Sequence, residues 1–321
     1  MRVLKLRKRL SDLFIINLER KAALMLFTLL ILFFAFKGMP VTSWGPASNY
    51  ENYSVKTTVN VTNAYPEILN ITCNGDQAIT LTAGSTKLVS CLIEILDYND
   101  GDDVNYVNGT FYYNVNESSD PDDNNTHYTN TTCTVNNTNG FYANWTCAFD
   151  VWYYALNGTW EMNSTVNDSF GAKDNDYGNA TVNTLLALNV TSLIDYEDLA
   201  VTETSSAIEA NITNFGNVPI NVTIYGFGGE DEVAYAGLAM VCDQRNITID
   251  NERYDLSAVT VYDSMTPLTS SAVPFQGIKI QKQTDPDVYQ INSTYWRIHI
   301  NMSTNPFGVC NGTVVFAAES P

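Results

Sequence analysis

Alternation of apolar and polar residues is the feature that most constrains how this chain can fold. In two segments, 87–96 and 145–153, every second residue is aliphatic, aromatic or cysteine. The two stripes consist of Val89, Cys91, Ile93 and Ile95, and of Trp145, Cys147, Phe149, Val151 and Tyr153. Successive side chains of a β-strand point to opposite faces of a sheet, so a period of two predicts strands with one buried face.

Turn signals between such segments favour the same fold class. Asn-Gly steps tolerate the left-handed backbone of hairpin turns, and they occur at 74–75, 108–109, 139–140, 157–158 and 311–312. No helix of ordinary length is predicted after residue 41. Two acidic segments, 116–125 and 168–177, are predicted to be exposed loops.

These signals predict an all-β chain with two tandem immunoglobulin-like β-sandwich domains after an N-terminal hydrophobic helix. A length of 321 residues suits two domains and an anchor. The predicted parts are a basic cytoplasmic segment at 1–21, a hydrophobic helix at 22–41, a linker at 42–58, and β-sandwiches at 59–182 and 185–318.

The apolar run at residues 22–36, closed by Lys21 and Lys37, is the predicted membrane element. A spanning helix needs about 20 residues, which the run reaches if it continues past Lys37 to residue 41. Two interpretations stay open: an uncleaved signal anchor with the N-terminus inside, and a signal peptide that is removed. The first predicts a single-pass membrane protein with extracellular C-terminal domains, and the second predicts a secreted one.

Charge is distributed as the positive-inside rule requires. Residues 1–37 carry eight Lys or Arg and two acids, a net charge of +6, whereas the other 284 residues carry −25, which together give −19. An acidic ectodomain repels phosphates, so nucleic acid is excluded as a partner. The predicted partners are the membrane, through the N-terminal helix, and surface glycans or proteins.

Acceptors for N-linked glycans are the most over-represented motif. The chain has 20 Asn-x-Ser/Thr sequons among 36 asparagines, against roughly six expected by chance. The predicted acceptors are Asn52, Asn60, Asn70, Asn108, Asn116, Asn124, Asn130, Asn136, Asn144, Asn157, Asn163, Asn167, Asn179, Asn189, Asn211, Asn221, Asn246, Asn292, Asn301 and Asn311. All follow the apolar run and would therefore be outside the cell.

Six sequons have Val or Ile as the middle residue and Thr as the third, which predicts an orientation. On a strand, the acceptor and its Thr then face solvent while the Val or Ile faces the core. These six begin at Asn60, Asn70, Asn189, Asn211, Asn221 and Asn246. Asparagine- and threonine-rich exposed strands can also generate sequons by composition alone.

Six cysteines in an exported chain predict three disulfides rather than metal ligands or nucleophiles. A local pairing joins Cys73 to Cys91, Cys133 to Cys147 across the Asn139-Gly140 turn, and Cys242 to Cys310. An alternative, Cys91–Cys147 with Cys73–Cys133, would imitate the immunoglobulin inter-sheet bond, and both stay open here.

The strongest candidate for chemistry is the acidic turn at residues 97–103. Asp97, Asn99, Asp102 and Asp103 are candidate ligands for Ca²⁺, which prefers carboxylate and carbonyl oxygens. The turn resembles part of the calcium motif of cadherin linkers. An acidic hairpin connection without an ion is the alternative. No cofactor other than calcium is predicted.

No catalytic residue is predicted. The two histidines, His127 and His299, are in no Ser-His-Asp or Cys-His arrangement, and no glycine-rich phosphate loop occurs. Both are interpreted as surface or strand residues, and the chain is predicted not to be an enzyme.

Several segments together resemble a group of uncharacterised archaeal cell-surface proteins with immunoglobulin-like β-sandwich domains. The resemblance covers about residues 60–318. It is carried by segments 79–91, 97–103, 144–147, 152–154, 157–160, 166–171, 214–217 and 310–316, and by Gly226. It implies an exported, glycosylated envelope protein and supports the Cys133–Cys147 bond.

Three functions are compatible with these observations. The preferred hypothesis is a cell-surface glycoprotein that acts as a non-catalytic structural or adhesive module. A pilin-like filament subunit, processed at Arg20-Lys21-Ala22, is the alternative, which the lack of Glu at the start of the apolar helix disfavours. A secreted hydrolase with paired carboxylates is a third hypothesis.

Overall fold

The computed structural model describes residues 54–321. The predicted segments 1–21 and 22–41, most of the linker and the acceptor Asn52 lie outside these residues. The chain divides into two units, Met1–Asn60 and Val61–Pro321, and the strands described below lie in the second. Within residues 54–321, no helix combines the length and apolarity needed to cross a membrane.

The first eight strands form a sandwich of two antiparallel sheets. Their bounds are β1 (Glu67–Cys73), β2 (Thr86–Leu96), β3 (Val104–Tyr113), β4 (His127–Asn130), β5 (Thr134–Asn139), β6 (Tyr142–Trp152), β7 (Gly158–Asp168) and β8 (Lys173–Val182). One sheet has the order β1-β2-β6-β5 and the other β4-β3-β7-β8. This is the immunoglobulin arrangement, in which strands A-B-E-D face strands C-F-G, with β4 added beside strand C.

Ten further strands form the second sandwich. Their bounds are β9 (Leu188–Val190), β10 (Ile208–Asn214), β11 (Ile220–Gly228), β12 (Leu238–Gln244), β13 (Ile247–Thr248), β14 (Glu252–Asp255), β15 (Thr266–Pro267), β16 (Val273–Ile280), β17 (Ile291–Ile298) and β18 (Phe307–Glu319). The sheets have the orders β15-β14-β17-β10-β9 and β13-β12-β18-β11-β16. Strand β12 follows β11 in the chain but lies beyond β18, so the strand order differs from that of the first sandwich.

The predicted stripes form the core of the first sandwich. All nine of their residues are buried, on β2, on β6 and at Tyr153 just beyond it. Phe111 on β3 stacks on Trp160 of β7 with ring centroids 4.8 Å apart and on Phe149 of β6 at 5.7 Å, which joins the two sheets. In the second sandwich, Trp296 makes the equivalent inter-sheet contact with Phe316.

Three disulfides reinforce neighbouring strands, and they are those of the local pairing. Cys73–Cys91 joins β1 to β2, Cys133–Cys147 reaches β6 from the residue before β5, and Cys242–Cys310 joins β12 to β18. The Cα atoms are 3.9, 4.4 and 3.9 Å apart. Each bond therefore lies within one sheet, and the bonds do not connect the two sheets of a sandwich.

The Asn-Gly steps do not all form turns. Gly140, with φ +59°, is the first central residue of the two-residue β5–β6 turn, as in type II′ hairpins. Gly109 and Gly312, in contrast, lie inside β3 and β18. The prediction of turns there is wrong, because glycine serves a different purpose: a Cβ on Gly312 would overlap the carbonyl oxygen of Ala239 on the neighbouring strand.

A packed joint connects the two sandwiches. Phe215 lies against Gly84, where a Cβ would be 2.7 Å from its ring, and makes an edge contact with Tyr153. Lys282 donates to the Tyr154 carbonyl at 3.0 Å and to the side-chain oxygen of Asn125. Burial lowers the pKa of Lys282 to about 8. Because apolar and polar contacts both cross the joint, we infer that the sandwiches have one preferred orientation.

Substitution Gly312→Ala should destabilise the second sandwich by about 2 kcal/mol, since β12 must move away from β18 to make room for the methyl group. Urea unfolding measures the change. Asn311→Ala, an exposed change one residue earlier, is the matched control and should stay within about 0.5 kcal/mol of the wild type. Equal stability of the two variants would contradict the close strand approach.

Candidate metal centre

Two aspartates end the inward stripes of two core strands. On β2 the buried positions 89, 91, 93 and 95 are followed by Asp97, which is 0% exposed. On β7 the buried positions 160, 162, 164 and 166 are followed by Asp168, which is 1% exposed. Each carboxylate therefore occupies the next inward position after a row of core residues, at the same end of the sandwich.

Asp103 brings a third carboxylate to this point. It ends the short 3-10 turn Gly101–Asp103 before β3 and is half-buried. One carboxylate oxygen from each of Asp97, Asp103 and Asp168 lies within 4.8 Å of the others. The group, called here the aspartate cluster, thus draws on three separate segments of the chain.

Local hydrogen bonds fix the orientation of each carboxylate through one of its oxygens. Asp97 Oδ1 accepts from the Asn99 amide at 2.9 Å, and Asp103 Oδ1 accepts from the Ser169 hydroxyl. Asp168 Oδ1 accepts from the amides of Phe170 and Ala172, at 3.0 and 2.7 Å. The strand ends and turns therefore hold these side chains in place without using all their oxygens.

The remaining oxygens include several buried atoms without a partner. Asp97 Oδ2 and Asp103 Oδ2 are both buried and accept no hydrogen bond. Asn63, in the segment before β1, donates from Nδ2 to Asp168 Oδ2 at 2.6 Å, and its own buried Oδ1 also has no partner. Buried polar atoms are normally hydrogen-bonded, so a concentration of unsatisfied oxygens marks this place as unusual.

The electrostatics of the cluster are unfavourable as it stands. Burial raises the pKa of Asp97, the Asn99 amide lowers it, and the carboxylates of Asp103, Asp168 and Asp100 raise it further. Within residues 54–321, no Lys, Arg or His nitrogen lies within 4.0 Å of an oxygen of these three carboxylates. Chemically, the arrangement can hold a cation or share protons.

The sequence prediction overlaps this site only in part. Asp97 and Asp103 are brought together, whereas Asp102 is exposed and Asn99 accepts from the Ala64 amide at 2.6 Å, outside the cluster. Asp168 was missed, because residues 168–177 were assigned to an exposed loop. In fact Asp168 ends β7, and residues from Lys173 onward belong to β8. Continuing the alternation along 160–166 would have identified it.

The predicted glycan acceptors are exposed or half-buried. Asn52 lies outside the described residues, and none of the other 19 acceptors is buried. The middle residues Ile71, Ile212, Val222 and Ile247 are buried as predicted, and Val190 is half-buried. Val61 is an exception at 82% exposed, because residues 54–66 form no strand and no sheet covers it.

Within residues 54–321, one histidine and one glutamate are also buried. His127 begins β4 and is buried rather than on the surface, with Nδ1 2.8 Å from Asp122 and its ring stacked on Tyr112. Glu252 on β14 is buried in the second sandwich and accepts from the Tyr196 hydroxyl at 2.8 Å. Burial raises the pKa of Glu252 to about 7, against a small opposing effect of that hydrogen bond. His299 is partly exposed and contacts the Thr204 hydroxyl at 2.9 Å.

Comparison with known proteins gives little further guidance. No protein-family model matches the chain, and no curated protein does. A solved carbohydrate-binding module of the β-sandwich superfamily is 10% identical, with 80% of this chain and 97% of that one aligned and a TM-score of 0.23. Salmonella alpha-2-macroglobulin reacted with methylamine is 11% identical over 81% of this chain and 15% of that one, with a TM-score of 0.24. The C-terminal domain of the Streptococcus agalactiae AgI/II polypeptide BspA is 8% identical over 75% and 90%, with a TM-score of 0.20. At these TM-scores the alignments assign neither a family nor a ligand.

Substitution Glu252→Gln should stabilise the protein above pH 7 and have little effect near pH 4.5. The folded-state pKa is raised, so the wild type loses stability as pH rises from 4.5 to about 7, by about 3 kcal/mol in full. Glutamine keeps the acceptor for Tyr196 but carries no charge. Urea unfolding at both ends of this range measures the difference between variant and wild type.

The exposed Glu230 provides the matched control. Glu230→Gln should leave the pH dependence of unfolding unchanged, whereas Glu252→Gln should remove the part that falls between the two pKa values. If the free energy of unfolding of Glu252→Gln varied with pH as that of the wild type does, the pKa of Glu252 would not be raised by folding.

Proposed function

We propose that this protein is a non-catalytic module of the cell surface, coated with N-linked glycans and acting in envelope structure or adhesion. It is tethered through residues 22–41 if that segment is an uncleaved anchor, and secreted if the segment is removed. The placement of asparagine residues carries the proposal.

The buried asparagines all lie outside sequons, although the other non-acceptor asparagines of residues 54–321 are not buried either. Three asparagines of residues 54–321 are buried, Asn214, Asn217 and Asn251, and none of them is in a sequon. The Asn214 and Asn217 side chains bond to backbone atoms, including Ile280 O and Leu185 N. An acceptor must be reachable by the glycosylating enzyme, and the absence of burial at all 19 described acceptors supports the proposal.

Acceptors occur on all four sheets, so a glycan coat would surround both sandwiches. Asn70 and Asn163 lie on the two sheets of the first sandwich, on β1 and β7. Asn211 and Asn221 lie on the two sheets of the second, on β10 and β11. The three disulfides agree with an oxidising exterior.

The carboxylates nearest to one another do not favour a hydrolase. A glycosidase places its two carboxyl groups on either side of a substrate bond. Asp97 and Asp168 are instead buried at the end of the core, where a saccharide could not reach them. Their arrangement fits a structural site better than a catalytic one.

Glycopeptide mass spectrometry of the protein from its own cells tests the proposal. We expect glycans at several acceptors on each sandwich, and bare asparagines throughout would overturn it. Protease treatment of intact cells adds a second test, since peptides from 54–321 should be lost from the cell surface without lysis. Protection of those peptides until lysis would place the domains inside and contradict the proposal.

A further inference from the structure

The aspartate cluster has a charge that its surroundings do not balance. Asp97 and Asp168 are almost completely buried, Asp103 is half-buried, and no basic nitrogen of the described residues lies within 4.0 Å of their oxygens. Burying an unpaired carboxylate is strongly unfavourable, and three together repel one another. A folded state that keeps them ionised therefore needs a positive charge at this position.

The unsatisfied oxygens show where that charge would lie. Asp97 Oδ2, Asp103 Oδ2 and Asn63 Oδ1 are buried acceptors without donors, beside Asp168. One oxygen of each carboxylate is held by Asn99, by Ser169, or by Phe170 and Ala172. Asp97 Oδ2 and Asp103 Oδ2 are therefore oriented in advance and free, while Asp168 Oδ2 accepts from Asn63. Hydrogen bonds of this kind orient ligands at metal sites.

We propose that Asp97, Asp103 and Asp168, with the side-chain oxygen of Asn63, bind a Ca²⁺ ion at this end of the first sandwich. All the ligand atoms are hard oxygens, which Ca²⁺ prefers, whereas Zn²⁺ prefers softer N and S ligands. The ligands come from separate turns and strand ends, and Ca²⁺ accepts such irregular geometry, whereas Mg²⁺ requires a near-ideal octahedron. The proposal is independent of the glycan coat.

The ion would connect four parts of the chain. Asn63 belongs to the segment before β1, Asp97 to the end of β2, Asp103 to the turn before β3, and Asp168 to the end of β7. Two hydrogen bonds of 2.6 Å hold the segment before β1 here, from Asn63 Nδ2 to Asp168 Oδ2 and from Ala64 N to Asn99 Oδ1. Ca²⁺ would thus fix the entry of the chain into the sandwich at extracellular calcium concentrations.

Calcium binding to the full chain tests the proposal, with Asp97→Asn and Asp168→Asn as the site variants. Asp102→Asn is the matched control, since it removes one charge from the same turn but lies outside the cluster. After treatment with a chelator, about 5 mM CaCl₂ should raise the wild-type melting temperature by about 5 °C. Asp102→Asn should keep this shift, and the two site variants should lose most of it.

Calorimetric titration of the wild type with CaCl₂ provides a measurement that does not depend on any variant folding. One ion per chain is expected. No binding heat together with an unchanged melting temperature would overturn the proposal. The proposal would also fail if NaCl of equal ionic strength gave the same shift in melting temperature. It would fail as well if Asp102→Asn lost as much of the calcium-induced shift as Asp97→Asn, because general screening would then explain the effect.

Discussion

The pairing of β2 with β6 is the constraint on which the first sandwich depends, because it sets Cys91 directly opposite Cys147. A shift of one residue would turn every inward side chain of a strand toward solvent. The two disulfides fix the strands on either side of this pair, since Cys91 bonds to Cys73 on β1 and Cys147 bonds to Cys133 before β5. The same register continues the inward stripe of β2 to Asp97.

The core strands could be predicted from the sequence because a strand with one buried face has apolar residues at every second position. The positions of Gly109 and Gly312 could not be predicted, since a glycine that makes room for a packed neighbour has the same sequence neighbours as one in a turn. The neighbour is the Met162 side chain at Gly109 and the Ala239 carbonyl at Gly312. Asp168 was missed for a related reason: polar composition suggested a loop, whereas its place after Val166 in the alternation gave the true orientation. Asn63 is distant in sequence, and only the folded chain brings it to Asp168.

Two sets of polar side chains in this molecule differ in whether they are exposed or buried. None of the predicted acceptor asparagines of residues 54–321 is buried, whereas the oxygens of the aspartate cluster point inward at one end of one sandwich. The two sets meet at the sequon of Asn167, whose middle residue is Asp168 and whose Ser169 hydroxyl orients Asp103. A short stretch of chain therefore serves the surface and the interior together.

The order of strands in the sheets has a consequence for self-association. The outermost strands of the four sheets are β1 and β5, β4 and β8, β9 and β15, and β13 and β16. Acceptors lie on five of these eight strands, at Asn70, Asn136, Asn130, Asn179 and Asn189, and Asn246 directly precedes β13. Unpaired strand edges invite a second sheet to add on, and proteins block them with charge, proline or cover. Glycans at these positions would give the same protection and would keep two copies of the protein from pairing through their edge strands.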